Sequence, residues 1–312
     1  MASSSSNHLK NIAVVGASGN IGSYIVSALL AKRCFNVNAI SRIESKATFA
    51  NGVTVTKVDY NKPDTVVEAL KGQDVLIITM SAFAHDAQPK LIRAAADAGV
   101  PWVLPNEFGM YNTEEAQNDT IGSSKTKAKE LIESLGVSSW LGVTCGFWYE
   151  YSLSGGSYGI DVAKREAVFF DKGTQRLNTS TWPQVGRAVA SLISLPVSSL
   201  DAYRNRMLYI SSFALSQRDM LKAVQRATGT TDSDWKITSE PTKQRYADAK
   251  EKMKSGDHSA FVKALYTRYF IDEEGLYEKT HELANEKLGL PEEDLEEATK
   301  AAVELQKSGY WN

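Results

Sequence analysis

Three glycines near the start of the chain have the spacing of a dinucleotide-binding turn. Gly16, Gly19 and Gly22 follow the apolar run 12–15 and lead into an amphipathic segment. The first glycine permits the tight turn, the second lets a pyrophosphate approach the backbone, and the third lets a helix pack closely on the strand. The helix N-terminus then offers N–H groups and a positive dipole end to the phosphates. The predicted cofactor contacts here are Gly16, Ala17, Ser18, Gly19, Asn20 and Ile21.

The residues after the second predicted strand (35–40) indicate which dinucleotide binds. NAD enzymes usually place Asp or Glu there to accept a hydrogen bond from the ribose 2′-OH. This chain has Ser41 and Arg42, with Lys46 close behind, and the nearby acid Glu44 lies past the expected strand end. A guanidinium pairs with a 2′-phosphate, which a carboxylate would repel. We therefore predict NADP(H), bound by Ser41, Arg42 and Lys46; the alternative is that Arg42 is a solvated loop charge.

A lysine-rich segment without a tyrosine partner is the second chemical feature. Short-chain dehydrogenases usually carry Tyr-x-x-x-Lys on a helix beyond the fourth or fifth strand. The match at Tyr246 and Lys250 lies in the charged C-terminal helices, where chance spacing explains it. The expected helix instead carries Lys125, Lys127 and Lys129, of which the first and last share a face. Taken alone, this pattern is also that of a solvated basic helix start.

Alternating strand and helix patterns are expected to position these residues. Further strands are predicted at 53–58, 74–79, 102–104 and 139–144, and helices at 23–31, 63–70, 87–98 and 126–135. Apolar strands separated by helices are typical of a parallel, doubly wound sheet that binds ligands at the carboxyl ends of its strands. Cofactor contacts at the later strand ends are accordingly predicted at Met80, Ser81, Asn106, Cys145 and Phe147.

The pattern changes after about residue 150. Residues 167–170 and 176–181 suggest a hairpin around Asp171-Lys172-Gly173, and the chain is mostly helical from Glu240 onward. We predict a disordered tail over 1–8 and an NADP-binding Rossmann domain over 9–150, with later contributions from about 182–215. A smaller, mostly helical substrate-binding region is predicted over 151–312.

Aromatic residues cluster after the strand at 139–144. Such side chains can wall a flat aromatic substrate, although core packing explains one or two of them equally well. The predicted substrate contacts are Phe147, Trp148, Tyr151 and His85, the last with the alternative of an exposed loop histidine. A second apolar stripe, with an i, i+4 rhythm, is expected either to close over the cleft or to pack as core. It comprises Phe261, Leu265, Tyr266, Tyr269 and Phe270.

Bulk composition excludes several classes of function. The 35 basic and 37 acidic side chains give a net charge of −2, which argues against a general nucleic-acid binder. Cys34 and Cys145 are too few for a disulfide framework or a metal cluster. No run approaches the ~18 apolar residues of a membrane span, and the polar start does not resemble a signal peptide. We expect a cytoplasmic monomer or homodimer that binds a small molecule, with no metal, nucleic acid or membrane.

The motifs together resemble the isoflavone reductase and phenylcoumaran benzylic ether reductase family, within the wider NmrA-like group of atypical short-chain dehydrogenases. The glycine turn, Pro105-Asn106-Glu107-Phe108-Gly109 and the lysine helix 125–136 occur in the family's order, and 182–190 is similar to a later family helix. The resemblance covers roughly 9–215. It implies NADPH binding and identifies Lys125 as the catalytic lysine. Asn106 stands where the family motif has serine.

The residues and the resemblance predict an NADPH-dependent reductase of a small, aromatic or conjugated, secondary-metabolite-like substrate. Lys125 is predicted as general acid/base, because a partly desolvated lysine beside other cations has a lowered pKa. The alternative is an NmrA-like regulator that senses NADP without turnover and contacts a protein partner. The lysine and the aromatic-lined cleft favour the enzyme.

Overall fold

The computed structural model describes residues 7–81, 84, 86–111, 113, 116, 122–257 and 259–311. Its strands are β1 (Asn11–Val15), β2 (Asn36–Arg42), β3 (Val53–Val58), β4 (Val75–Ile78), β5 (Trp102–Leu104), β6 (Ser139–Thr144), β7 (Phe147–Trp148), β8 (Ile160–Asp161), β9 (Glu166–Phe170), β10 (Arg176–Ser180), β11 (Arg206–Tyr209), β12 (Phe213–Ser216) and β13 (Lys236–Glu240). Its α-helices are α1 (Asn20–Ala31), α2 (Pro63–Leu70), α3 (Ala87–Asp97), α4 (Gly122–Leu135), α5 (Tyr149–Ser154), α6 (Trp182–Ile193), α7 (Val197–Leu200), α8 (Gln217–Thr228), α9 (Thr242–Lys254), α10 (Ala260–Arg268) and α11 (Leu295–Lys307).

The central sheet has seven parallel strands in the order β11-β6-β5-β4-β1-β2-β3. The order reverses at β1, so the chain winds outward from β1 in both directions. This arrangement confirms the predicted doubly wound Rossmann fold. The reversal opens a crevice at the carboxyl ends of β1 and β4, where such sheets bind their ligands.

Side chains of β1 alternate between two cores on opposite faces of the sheet. Ile12 and Val14 pack into one apolar cluster with α1 and α6, whereas Ala13 and Val15 pack into another with α2, α3 and α4. Gly186 brings α6 close to α1, because a Cβ there would lie 2.5 Å from the Tyr24 carbonyl oxygen. Both faces of the sheet are thus covered, as its nearly unbroken apolar strands require.

The predicted hairpin between residues 167–170 and 176–181 is wrong. Strand β9 pairs with β8 and β13, whereas β10 pairs with β12 and β7 in a separate sheet. The turn between them bonds to distant segments: the Asp171 N–H donates to the Glu240 carbonyl, and the Gly173 carbonyl accepts from the Arg218 N–H. Turn residues signal a reversal of the chain, but they do not determine which strands pair across it.

Outside the central sheet, two three-stranded sheets have the orders β12-β10-β7 and β13-β9-β8. The region from residue 151 onward therefore contributes strands as well as helices, and β7, just before it, completes one of these sheets. Residues 7 and 8, the last two of the predicted disordered tail, contact the end of α6 and the start of α7. The Asn7 carbonyl accepts a hydrogen bond from the Val197 N–H at 2.9 Å. His8 Nδ1 lies 3.2 Å from the Ser194 carbonyl oxygen. None of the helices within the described ranges is long and apolar enough to cross a membrane.

Candidate functional site

The glycine turn between β1 and α1 is shaped to receive phosphates. Gly16 has φ +78°, and a Cβ there would lie 2.0 Å from the Thr79 carbonyl oxygen. A Cβ on Gly22 would lie 2.1 Å from the Gly16 carbonyl oxygen. Gly19 is the N-cap of α1, and the first turn of that helix carries no acidic residue. The turn therefore leaves backbone and a positive helix end available, which fits a pyrophosphate.

The other predicted contacts in this turn differ in whether their side chains can reach a cofactor. Ser18 and Asn20 are exposed. Ala17 and Ile21 are buried in the core beneath the turn, so only their backbone atoms face outward.

Cations surround the end of β2. Arg42 is exposed and lies 3.5 Å from the Glu44 carboxylate, a pair that contributes little stability at such exposure. Lys46 is also exposed, whereas Ser41 is buried. Lys57 is a cation that the sequence analysis missed: its Nζ donates to the Ser45 carbonyl at 2.7 Å and to Ser41 Oγ at 3.4 Å. The set fits a 2′-phosphate, because Arg42 ends β2, the Lys57 Nζ donates to Ser41 beside it, and the exposed Lys46 follows four residues later.

Lys57 lies beside Ser41 because β2 and β3 pair in parallel with these two residues in register. The two are 16 residues apart in the chain, so the local motif around Arg42 does not include Lys57. Predicting it required the strand register.

Lys125 is the best-buried cation of the lysine helix α4. Its side chain is 11% exposed, and its Nζ donates to the Glu107 carbonyl and lies 4.0 Å from the Glu107 carboxylate. Lys129, one turn further along the same face, lies 2.9 Å from the other oxygen of that carboxylate. Burial lowers the pKa of Lys125 and Lys129 lowers it further, whereas Glu107 raises it. The arrangement favours a lysine that exchanges a proton at lower pH than an exposed one.

Asn106 connects two of the strand ends at the crevice. Its side-chain amide donates to the Met80 carbonyl at 2.8 Å, and its backbone N–H donates to Gln88 at 2.8 Å. The bond to Met80 joins the ends of β4 and β5 beside Lys125, and the bond to Gln88 joins the end of β5 to α3.

Two cavities meet at Met80, Asn106 and Lys125. The first, of about 470 Å³, is lined additionally by Ser81 and by residues of α3 and α4. The second, of about 460 Å³, extends toward the aromatic residues. A reactant in either cavity can therefore approach the Lys125 ammonium.

Aromatic rings from distant segments wall the second cavity. The rings of Phe147 and Tyr266 stack with centroids 3.9 Å apart. The predicted contacts Trp148 and Tyr151 also line this cavity, with ring centroids 5.8 Å apart. The wall is thus mostly apolar and suits a flat, conjugated molecule.

Two predicted site residues, Cys145 and His85, are not shown to present a side chain to either cavity. Cys145 is fully buried, and burial raises the pKa of its thiol to about 12, so the residue can present only backbone toward a cofactor. His85 lies outside the residues that the structure describes.

The apolar stripe of α10 divides between cavity and core. Phe261 and Leu265 are half-buried and line the second cavity, together with Tyr266 and Tyr269. Phe270 is 2% exposed and packs edge-on against Phe170, with centroids 5.3 Å apart. Closure of this segment over a substrate stays a prediction.

Tyr246 and Lys250 lie on α9, where the lysine Nζ is 5.5 Å from the tyrosine ring centroid. In the part of the chain that the structure describes, neither lines the two cavities.

Comparison with known proteins identifies the family of this chain. Residues 8–288 match the model of the NmrA-like family. The oxidoreductase aprR of Aspergillus flavus is 32% identical over 246 residues, which are 77% of this chain and 78% of that protein.

Solved structures agree with this chain in fold. The crystal structure of an isoflavone reductase matches with a TM-score of 0.75 at 21% identity, over 95% of this chain and 99% of that one. The structure of AtPrR2 with NADP+ and (+)pinoresinol matches with a TM-score of 0.72 at 18% identity, over 94% and 98% of the two chains. The chain belongs to the NmrA-like family and is an isoflavone reductase-like oxidoreductase.

Proposed function

We propose that this oxidoreductase uses NADPH to reduce a small, planar, aromatic or conjugated substrate, with Lys125 as its general acid/base. The observation that carries the proposal is the position of Lys125. This buried ammonium lies where a cavity beside the strand ends meets an aromatic-walled cavity. One side chain can thus serve a reaction between a cofactor and a flat substrate.

NADPH is supported by features at both ends of its expected site. The glycine turn leaves room for a pyrophosphate, and Arg42, Lys46 and Lys57 gather positive charge at the end of β2. AtPrR2, which is similar in fold, was solved with NADP+. When bound, NADPH supplies a hydride from its nicotinamide ring.

Lys125 then acts as the general acid/base that transfers the proton accompanying the reduction. A substrate carbonyl that gains electrons develops negative charge on oxygen, which a nearby ammonium stabilises and protonates. Glu107 holds the ammonium through its carbonyl, while Lys129 shares the negative charge of the Glu107 carboxylate. The stacked rings of Phe147 and Tyr266 reduce the access of water to the aromatic side of the site.

Turnover and binding by the Lys125→Ala variant test this proposal. NADPH oxidation would be followed at 340 nm with conjugated ketones and phenolic compounds, and NADPH affinity would be titrated separately. We expect turnover to fall by about 10²–10⁴ while NADPH affinity changes by no more than a few fold. Lys90→Ala, an exposed lysine on α3, is the matched control and should retain activity.

Undiminished turnover in the Lys125→Ala variant would reject the role of the lysine. Tight NADPH binding without turnover of any compound would instead support the alternative, an NADP-sensing regulator. A location in the cytoplasm and a monomeric or homodimeric state are part of the same proposal.

A further inference from the structure

We propose that Trp311, in the segment that follows α11, is a specificity-determining wall of the substrate cavity. The inference rests on the proposed function, since it takes the aromatic cavity to hold the substrate. Residue 311 lies beyond 288, where the match to the family model ends. The wall is therefore a feature of this chain that the family match does not supply.

Trp311 lines the same cavity as Lys125 but at its exposed side. Trp311 is 43% exposed and Val262, which lines the same cavity, is 48% exposed, whereas the Lys125 side chain is 11% exposed. This gradient places Lys125 inside the cavity and Trp311 at its opening. A substrate whose reacting group reaches Lys125 would present its far end to the indole.

The position of the indole is fixed by several contacts. Its Nε1 donates to Ser154 Oγ at 3.1 Å, and its ring centroid lies 4.7 Å from that of Tyr151. The ring also lies close to Gly155: a Cβ built on that glycine would come within 2.7 Å of it. A tryptophan held on three sides presents a defined surface, which is what selection by shape requires.

The helix before this segment anchors it to the cavity. Thr299 of α11 and Tyr149 of α5 form a buried hydrogen bond of 2.8 Å between their hydroxyl groups. Helix α5 also carries Tyr151 and Ser154, which contact the indole. The docking of α11 on α5 thus determines where Trp311 lies.

Two conjugated ketones that differ by one ring test the proposal. Benzylideneacetone has a phenyl ring and a methyl group on either side of its enone, and chalcone replaces the methyl group with a second phenyl ring. Calorimetric titration of each ketone into the NADP+-saturated protein would measure affinity without requiring turnover. We expect Trp311→Ala to weaken chalcone binding about tenfold and benzylideneacetone binding less than about twofold, because only the longer ketone reaches the indole.

Gly155→Ala tests the same wall without removing the indole. The backbone at Gly155 has φ −84°, which alanine adopts readily, but the added methyl group must displace the ring. We expect chalcone binding to weaken several-fold, and the double variant with Trp311→Ala to bind no more weakly than Trp311→Ala alone. Lys307→Ala, exposed on α11 and paired with Glu304, should leave both affinities unchanged.

Thermal unfolding of each variant would establish that it is folded before affinities are compared. Equal weakening of both ketones, or no weakening of chalcone, would overturn the proposal. Failure of the wild-type protein to bind chalcone would overturn it as well. None of these outcomes bears on NADPH affinity or on Lys125-dependent turnover, which test the proposed function separately.

Discussion

The proposed nucleotide side and the proposed substrate side of the crevice are built in opposite ways. The nucleotide side is a short contiguous turn from Gly16 to Gly22. Its glycines lack side chains, which leaves the backbone free to approach a phosphate. The substrate side is an aromatic enclosure made of segments near residues 107–110, 146–157, 261–269 and 311. The first is constrained by close backbone contacts that an added side chain would disrupt, whereas the second can exchange one ring for another. One fold can therefore keep its cofactor while its substrate varies.

The largest expected effect is a loss of NADPH affinity when a side chain is added to the glycine turn. Gly22→Ala places a Cβ 2.1 Å from the Gly16 carbonyl oxygen and 2.7 Å from Thr79 Oγ1, so the turn must move. We expect NADPH affinity, measured by fluorescence titration, to fall by at least about 100-fold. The control is Gly136→Ala, after α4, where φ is +68° and a Cβ meets nothing within 4 Å. The strained backbone should lower the thermal stability of this variant but leave its NADPH affinity unchanged. An unaltered affinity in Gly22→Ala would remove the contrast between the two sides.

A smaller effect is expected from the charges that select the nucleotide. A charge-assisted pair contributes about 1.5–3 kcal/mol, so Arg42→Ala should weaken NADPH binding about ten- to a hundredfold. NADH binding should change little, because NADH has no 2′-phosphate. Calorimetric titration of both cofactors measures the preference directly.

Glu44→Gln is the companion variant to Arg42→Ala. It removes the carboxylate that lies 3.5 Å from Arg42 and should strengthen NADPH binding slightly. Equal affinities of the wild-type protein for NADPH and NADH would contradict the assignment of this strand end.

Helix α5, which contributes Tyr151 to the aromatic cavity, also carries a buried carboxylate. Glu150 of α5 is 6% exposed, and burial raises its pKa from 4.5 to about 7. Because the folded protein disfavours the ionised form, the contribution of this group to stability is full below pH 4.5 and is lost as pH rises through 7. A shift of this size corresponds to about 3 kcal/mol.

Glu150→Gln should therefore stabilise the protein at pH 8 by about 2 kcal/mol and give no gain at pH 4, as measured by urea unfolding. The amide retains an oxygen that can accept from the Trp182 N–H, as Glu150 does at 3.2 Å. Asp161→Asn is a control, because the pKa of this half-exposed carboxyl is lowered, which gives the opposite dependence on pH. A Glu150→Gln variant that is no more stable at pH 8 than at pH 4, relative to wild type, would contradict the argument.

The same contrast explains what could be predicted from the sequence. The glycine turn and Arg42 are local patterns, and the alternation of strand and helix determines where such a turn lies. Lys57 required the β2–β3 register, and Trp311 required the docking of α11 on α5. Both depend on contacts between residues far apart in the chain, for which a single sequence contains no local signal. The incorrect hairpin at Asp171 has the same cause.

The smallest expected effect concerns Lys129, which shares the Glu107 carboxylate with Lys125. Its Nζ is 2.9 Å from the Glu107 carboxylate, whose other oxygen is 4.0 Å from the Lys125 ammonium. Lys129→Met removes a cation that lowers the pKa of Lys125 and leaves the Glu107 charge to act on Lys125 alone. Both changes raise the pKa of Lys125. We expect the limb of the kcat/KM pH profile that belongs to Lys125 to move to higher pH.

The limb is identified as the one that Lys125→Ala abolishes, so the assignment does not depend on whether Lys125 donates or accepts the proton. Lys90→Met removes the same charge from an exposed position on α3 and should leave the profile in place. If Lys129 only supported the packing of α4, its removal would lower kcat across the whole profile without moving the limb. A movement to lower pH would contradict the electrostatic argument, since removal of a cation near Lys125 cannot make its ammonium form less favourable.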